Sequence, residues 1–392
     1  MKIALFTETF LPSTDGIVTR LLASIDHLLD AGHELAIVAP FGGPEHYKGI
    51  PVLSIKGFPY PFYPQLKFCP PTKSMGVFLK TFQPDLIHVI NPVVLGLGGI
   101  YYARKMRLPL VASFHTHLAA YAYTYHVPFL APVAWQYLKI IHNLASVNLA
   151  TSKTMVNQLI NRGYRNVRWW EGGVDTEKFH TDFQSDAMRS YLTDGQKDRF
   201  ILLYVGRLAH EKGLDKIRPL LDMIPKLSIA FVGDGPERDK LERTFEGTHS
   251  KFFGFLHGQD LSAAYASADA FIFPSTTETL GLVLLEAMSS GLPIIAADSL
   301  PTRELLHGQE LGIVYRSGDM QSLTDAIQSL MSQPSLRKRM AFNARKTAES
   351  RNWLAPTEKL IHYYGLALRL HRMHTLKDRQ TTTTAKEKLL QF

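Results

Sequence analysis

KIALFTE, ELAIVAP, DLIHVIN, LPLVASFH and SVNLATS are short apolar runs, set among longer stretches of helical period, and a second series follows: FILLYVG, SIAFVGDG, KFFGFL, DAFIFPS and LPIIAAD. Runs that are apolar throughout, rather than at alternate positions, belong to strands buried on both faces. With helices between them they build parallel sheets covered on each side. The fold class is therefore α/β. Between the two series the text turns polar through TDFQSDAMRSYLTDGQKDR, which sets a domain boundary between about 180 and 198. The expected organisation is an N-terminal domain over 1–180, a C-terminal domain over 198–372, and a threonine-rich polar tail over 375–392 that reads as mobile. No repeat of 20 to 50 residues is visible.

Length and composition agree with two soluble cores, at 392 residues with 45% hydrophobic and 20% charged. The start, MKIALFTETF, lacks the basic flank, apolar stretch and cleavage site of a signal peptide and reads as a first strand. The longest apolar candidate, near residues 93–103, is broken by glycines and falls short of the ~20 residues of a spanning helix. Cys69 is the single cysteine, so neither an intrachain disulfide nor a cysteine metal site is available. A cytoplasmic location follows as the expectation. A formal net charge of +8 points to polyanionic partners. Nucleic acid is disfavoured, because the basic residues are scattered and no helix-turn-helix, zinc-finger or RNP pattern is present.

Ligands of open parallel sheets sit beyond the carboxyl ends of the strands. In TTETLGLVLLEAMSSGLP a helix opens near Gly281, and the amides of Gly281, Leu282 and Val283 suit an anion. Glu286, one turn later among apolar neighbours, suits ligand hydroxyls such as those of a ribose, and Glu278 a second set. The alternative is a loop residue at Glu278 and a Glu286 satisfied by a neighbouring backbone group or Lys. GRLAHEKG places Arg207 and Lys212 after a strand, a planar fork and a point charge matched to phosphate. Alone, such charges simply face water; beside a helix N-terminus they form a diphosphate clamp. ETFLPSTDGIVTR puts Gly16 where strand, loop and helix meet, for a phosphate contact or only a turn; it is neither a Walker loop nor the dinucleotide glycine fingerprint. SFHTH carries His115 and His117 at alternate positions, without a third ligand nearby, which favours polar contact to a substrate over metal.

Taken together, TETFLPSTDGIVTR, SFHTH, WWEGGVD, GRLAHEKG, FVGDGP, AYASADAFIFPS and ETLGLVLLEAMSSGLP resemble the retaining glycosyltransferases of family 4, over residues 1 to about 372. The seven residues between Glu278 and Glu286 are that family's signature spacing. The resemblance implies a GT-B type fold, two Rossmann-like doubly wound domains facing a central cleft. It also implies that Arg207 and Lys212 bind a donor diphosphate, that Gly16 contacts it by backbone, and that Glu286 binds the ribose. Glu278 would face the transferred sugar, His115 would lie near the reacting face, and Gly281, Leu282 and Val283 would add amides.

Within the family, TETFLPSTDGIVTR, HVINPVVLGLGGIYYA and ASFHTHLAAYAYTY look most like the sulfoquinovosyltransferases, which implies sulfoquinovose moving from a uridine diphosphate donor to diacylglycerol. Lipid mannosyltransferases share the opening Glu-x-Phe-x-Pro pattern, so GDP-mannose or UDP-hexose donors are the alternative, and a non-catalytic sugar-nucleotide scaffold a further one. No cofactor and no metal are expected. For a sulfonated sugar, Arg20 is a candidate partner, against a solvent-facing arginine. Tyr60, Phe62, Tyr63 and Phe68, interleaved with Lys56 and Lys67, suit an anionic membrane surface and thus a peripheral enzyme, against an ordinary proline-rich loop. One segment departs from the family: residues 299–304, SLPTRE, stand where a Gly-Gly turn is usual, which bears on donor choice.

Overall fold

The computed structural model describes residues 1–60, 63–115, 128–277 and 281–389, with side chains for all of these except 59–60, 63–66 and 377–389. The chain forms two compact units. The first comprises Met1–Thr116, Phe129–Glu171 and Leu354–Phe392; the second is built on Gly172–Trp353.

The first unit carries strands β1 (Lys2–Thr7), β2 (Glu34–Pro40), β3 (His46–Tyr47) and β4 (Ile50–Ile55), then a separate antiparallel hairpin of β5 (Phe58–Tyr60) and β6 (Tyr63–Phe68). It continues with β7 (Leu86–Ile90), β8 (Leu110–Phe114), β9 (Val147–Ala150) and β10 (Val167–Trp169). The sheet order is β10-β9-β8-β7-β1-β2-β4-β3, parallel except for the β3–β4 pair. β1 pairs with β2 through Ile3 and Leu35 and with β7 through Ile3 and Leu86, so the winding direction reverses between β1 and β7.

The second unit holds β11 (Phe200–Val205), β12 (Leu227–Val232), β13 (Ser250–Phe252), β14 (Ala270–Phe273), β15 (Ile294–Ala297) and β16 (Gly312–Tyr315). All are parallel, in the order β13-β12-β11-β14-β15-β16. That is the doubly wound 3-2-1-4-5-6 order, with its switch point between β11 and β14. The uninterrupted apolar runs are explained by the two faces. Ile201, Leu203, Val232, Phe271 and Ile294 enter one buried cluster, while Leu202, Tyr204, Phe231, Ile272 and Ile295 enter the other, each under its own helices.

The C-terminal helix corrects the domain boundaries read from the sequence. Leu354–Leu389 runs unbroken through residue 375, where the polar text suggests a tail, and it belongs to the first unit rather than the second. Its Leu360, Tyr363, Tyr364 and Ala367 fall at i, i+3, i+4 and i+7, one helical stripe buried with Ile3, Ile25 and Val111. The Trp170 indole donates to the Pro356 carbonyl at 3.0 Å and the Tyr363 hydroxyl to that of Trp169 at 2.9 Å, fixing the register. The chain thus leaves the first unit after Glu171, before the polar stretch, and returns to it at Leu354.

Candidate functional site

In the second unit, GRLAHEKG follows β11 and the loop to Gly281 follows β14, so the two flank the switch point. β11 ends at Val205, and Gly206, with a φ of 150°, turns the chain out of the sheet. The Tyr204 hydroxyl then donates to the Arg207 carbonyl at 2.9 Å. The glycines of FVGDGP brace this loop: a Cβ on Gly233 would stand 2.0 Å from the Gly206 carbonyl oxygen, and one on Gly235 2.3 Å from that of Leu208. Backbone bonds from Gly206 to Val232 and from Leu208 to Asp234, both 2.9 Å, complete the brace.

Arg207 is half-buried and bonds through Nη2 to Glu211, whose side chain is fully buried. Burial raises the Glu211 carboxyl, but the bond and charge of Arg207 outweigh it, and Glu211 stands below the usual carboxylate range. Sequence reading passed over Glu211; its signal is the four-residue offset from Arg207 inside a basic motif. Lys212 closes a 3-10 turn, His210–Lys212, ended by Gly213 at φ 64°. The Ser275 hydroxyl, past β14, reaches the Glu211 carbonyl at 3.5 Å and brings the two switch-point loops into contact.

Gly281 caps the helix Leu282–Ser289 at φ 60°, with no side chain bonded to the first turn among the described residues. Its Cβ would stand 2.9 Å from Phe273 Cζ, so glycine is set here by conformation and packing as well as by any ligand. Leu282 and Val283, half-buried, follow against the core. Glu286 has a protein partner: the hydroxyl of fully buried Tyr265 donates to Oε2 at 2.8 Å. No ligand is required to make Glu286 tolerable in its apolar helix. Burial holds its carboxyl above the ordinary value, opposed by the Tyr265 bond and the Lys178 charge. Glu278 lies outside the described residues. Residues 299–304, the segment that departs from the family's glycine turn, form a helix start, with Ser299 and Thr302 in a reciprocal capping box and Arg303 paired with Asp298.

In the first unit the switch point is bridged by the chain itself. Glu8 at the end of β1 is buried and accepts the amides of Val93, Val94, Leu95 and Gly96 at 2.7–3.1 Å, capping the helix Leu95–Met106 beyond β7. Gly16 is exposed at the start of the helix Gly16–Asp30, where Asp15 takes the next amides, Ile17 at 2.8 Å and Val18 at 3.0 Å.

Arg20 faces neither solvent nor an anion pocket of sulfonate size. It is 2% exposed, donates to the carbonyls of Trp170 and Glu171, and lies 4.1 Å over the Trp170 ring. Its Nε and Nη1 have no hydrogen-bond partner among the described residues, and the side chain lines a cavity of about 10 Å³, room for one water molecule rather than for a sulfonate. Direct recognition of a sulfonate by Arg20 is thereby corrected: Arg20 ties the helix Gly16–Asp30 to the segment after β10. His115, at the end of β8, has its Nε2 2.8 Å from Ser113 Oγ and packs edge-on to Trp170 at 5.7 Å. His117 lies outside the described residues.

Lys56 and, on the β5–β6 hairpin, Phe68 are exposed, whereas Lys67 bonds the Phe41 carbonyl; Phe62 and the side chains of Tyr60 and Tyr63 lie outside the described residues. Among the described residues no helix is long and apolar enough to cross a membrane, and no His, Cys, Asp and Glu cluster of three is placed to hold a metal.

Two family models match the chain, glycosyl transferases group 1 over residues 193–347 and glycosyltransferase family 4 over residues 14–178. The chain is 34% identical to the sulfoquinovosyl transferase SQD2 of Arabidopsis thaliana, over 96% of its own length and 76% of that protein. It is 30% identical to a GDP-mannose-dependent alpha-mannosyltransferase of Mycobacterium tuberculosis, over 98% of its own length and 99% of that protein. UDP-bound Alr3699/HepE of Anabaena superposes with a TM-score of 0.73 at 22% identity, over 93% of this chain and 100% of that one. That likeness is one of fold, the GT-B type with two Rossmann-like α/β domains.

Proposed function

The chain belongs to the glycosyltransferases of group 1 and family 4, and on that premise we propose that it moves sulfoquinovose from UDP-sulfoquinovose to diacylglycerol, retaining anomeric configuration without a metal ion. The observation that carries the donor site is the meeting of the Arg207–Glu211–Lys212 loop with the loop before Gly281 at the switch point of the second sheet. Arg207 and Lys212 there take the donor diphosphate, with the amides of Gly281, Leu282 and Val283 beside them, and Glu286 takes the ribose hydroxyls. As the glycosidic bond breaks, negative charge grows on the leaving phosphate and positive charge on the sugar. Fixed donors aimed at the former lower the barrier by on the order of a few kcal/mol each.

Glu278 is assigned to sugar hydroxyls and not to nucleophilic attack, so the acceptor hydroxyl approaches on the face the nucleotide leaves. Trapping a covalent sugar on Glu278 would reverse that assignment. Gly16 and His115 serve the same reaction from the first unit, Gly16 by its amide. Support for the sulfonated sugar comes from the similarity to SQD2; the mannosyltransferase of similar identity favours GDP-mannose as the second reading. With Arg20 committed to the fold, no cation for the sulfonate is assigned.

The acceptor is reached at a membrane surface, with Lys56 and the exposed rings of Phe58 and Phe68 toward anionic lipid. Flotation with anionic but not neutral liposomes is the expected result, and no flotation with either rejects the surface. For function, UDP-sulfoquinovose, UDP-glucose and GDP-mannose are offered with diacylglycerol in EDTA and the lipid product is weighed. A sulfoquinovosyl lipid is expected. A mannosyl or glucosyl lipid selects the second reading, and neither product nor donor hydrolysis leaves a binding scaffold.

A further inference from the structure

The helix Leu130–His142, between β8 and β9 of the first unit, is apolar on its outer face as well as on its inner one. Inward, Trp135, Leu138, Ile141 and His142 are buried, with Trp135 stacked on Phe114 of β8. Outward, Phe129, Leu130, Val133, Ile140 and Leu144 are between 40% and 72% exposed. A helix at the surface of a soluble core ordinarily turns polar residues to water. The helix Met320–Ser332 of the second unit does so with Gln321, Asp325 and Gln328. On the helix Leu130–His142, Val133 and Ile140 hold the outward positions, one on either side of Gln136. Several large apolar side chains exposed on one helix face mark a surface that meets something other than water.

The charge around this helix has one sign. From residue 86 to residue 170 the sequence holds eight Lys and Arg and no Asp or Glu, so this stretch alone matches the formal net charge of +8 and the rest of the chain balances. Three of those cations border the helix. Lys139 lies on it; Arg162 lies 4.2 Å over the Trp135 ring; and Asn143, at the helix end, holds the segment of Arg165 by donating to the Gly163 carbonyl at 3.1 Å and accepting the Arg165 amide at 2.8 Å. A partner for this face must therefore be apolar and anionic at once. Nucleic acid is anionic but gives aliphatic side chains no acyl phase to enter. A second copy of the chain is apolar here but would set like charges against each other across a two-fold axis. A bilayer with anionic headgroups supplies both, acyl chains for Val133 and Ile140 and phosphate for the cations.

We propose that the helix Leu130–His142 is a membrane anchor that lies in the headgroup plane of an anionic bilayer, with Phe129, Val133 and Ile140 toward the acyl chains and Lys139, Arg162 and Arg165 on lipid phosphates. It is separate in the sequence from Lys56, Phe58 and Phe68, and gives the first unit a second point of attachment. The purpose of the anchor, access to a lipid acceptor, rests on the function proposed above; the surface itself rests on exposure and charge alone.

Flotation of the full chain on vesicles of phosphatidylcholine, with and without phosphatidylglycerol, tests the anchor. Wild type should float with the anionic vesicles and be released as salt is raised. Val133→Glu/Ile140→Glu, at exposed sites that leave the core intact, should lose at least about tenfold in partition, and Lys139→Gln/Arg165→Gln about fivefold for each cation removed. The Kd for UDP should be unchanged in both variants. Anionic-vesicle binding by Val133→Glu/Ile140→Glu within about twofold of wild type overturns the proposal. So does wild-type binding to neutral vesicles equal to that to anionic ones, and so does a loss confined to Phe58→Ser/Phe68→Ser, which assigns docking to the hairpin alone. A different occupant overturns it in two ways: duplex DNA bound where vesicles are not, or a wild-type dimer in sedimentation that Val133→Glu/Ile140→Glu splits. If wild type floats as expected and the glutamate variant does not, yet wild type transfers no sugar, the anchor stands and the transferase reading falls.

Discussion

Glu286 and Tyr265 show how one residue pair tunes a buried carboxylate. As the proposed ribose acceptor Glu286 works best ionised, yet burial favours its protonated form; the Tyr265 bond at 2.8 Å and the Lys178 charge pull the other way. Donor affinity should therefore fall with decreasing pH earlier than an ordinary glutamate would dictate. Tyr265→Phe removes one opposing influence. It is expected to weaken UDP binding about three- to tenfold at neutral pH and to move the acid limb of the pH profile upward. Calorimetric titration across pH checks this, and a profile identical to that of wild type speaks against the pairing. Tyr265 was not legible beforehand, whereas Glu211 left a signal in its offset from Arg207. Motif reading finds an acid in an apolar run, but its partner sits 21 residues away on another helix and is chosen by packing. Arg207 and Lys212 were legible because their strand ends, and hence their place beyond the sheet, are written in FILLYVG.

At the scale of elements, the apolar runs marked the strands because a sheet buried on both faces admits no alternation. Helix–sheet pairing across the chain was less legible. Leu360, Tyr363, Tyr364 and Ala367 announce a helix with an apolar stripe, but a stripe does not say which core it enters, and here it returns to the first unit. Glu8 is a similar case: an acid at a strand end suggests a ligand, and the fold uses it to cap the helix Leu95–Met106. Gly281 was legible as a glycine before a helix, but not as a packing constraint. Gly281→Ala adds a methyl 2.9 Å from Phe273 Cζ at a left-handed φ of 60°. A loss of about 1–3 kcal/mol in the second unit is expected from denaturant titration. A change below about 0.5 kcal/mol would show that the loop relaxes freely.

In the whole molecule each unit is a doubly wound sheet with its own switch point. One is bridged internally by Glu8, and at the other the basic loop of Arg207 and Lys212 meets the loop after β14. The first unit also has a pH signature. His88 is held down to about 3, His142 to about 4 and His115 well below the usual value, burial being the leading cause for each. Below about pH 6.5 the unfolded chain takes protons that these folded imidazoles refuse. Stability is thus complete above that value and falls as pH drops toward 4, by on the order of 1.4 kcal/mol per pH unit for each ring. Urea midpoints of the first unit should fall between about pH 7 and about pH 5, and a constant midpoint would contradict the buried neutral histidines.

The proposed cationic hold on a nucleotide diphosphate is tested most directly by calorimetric titration of UDP, in EDTA, into wild-type protein and into Arg207→Ala/Lys212→Ala. Wild type should bind, and the double variant should lose at least about a hundredfold in affinity, as expected for two charge-assisted contacts. Binding by the double variant within about twofold of wild type would contradict the diphosphate site.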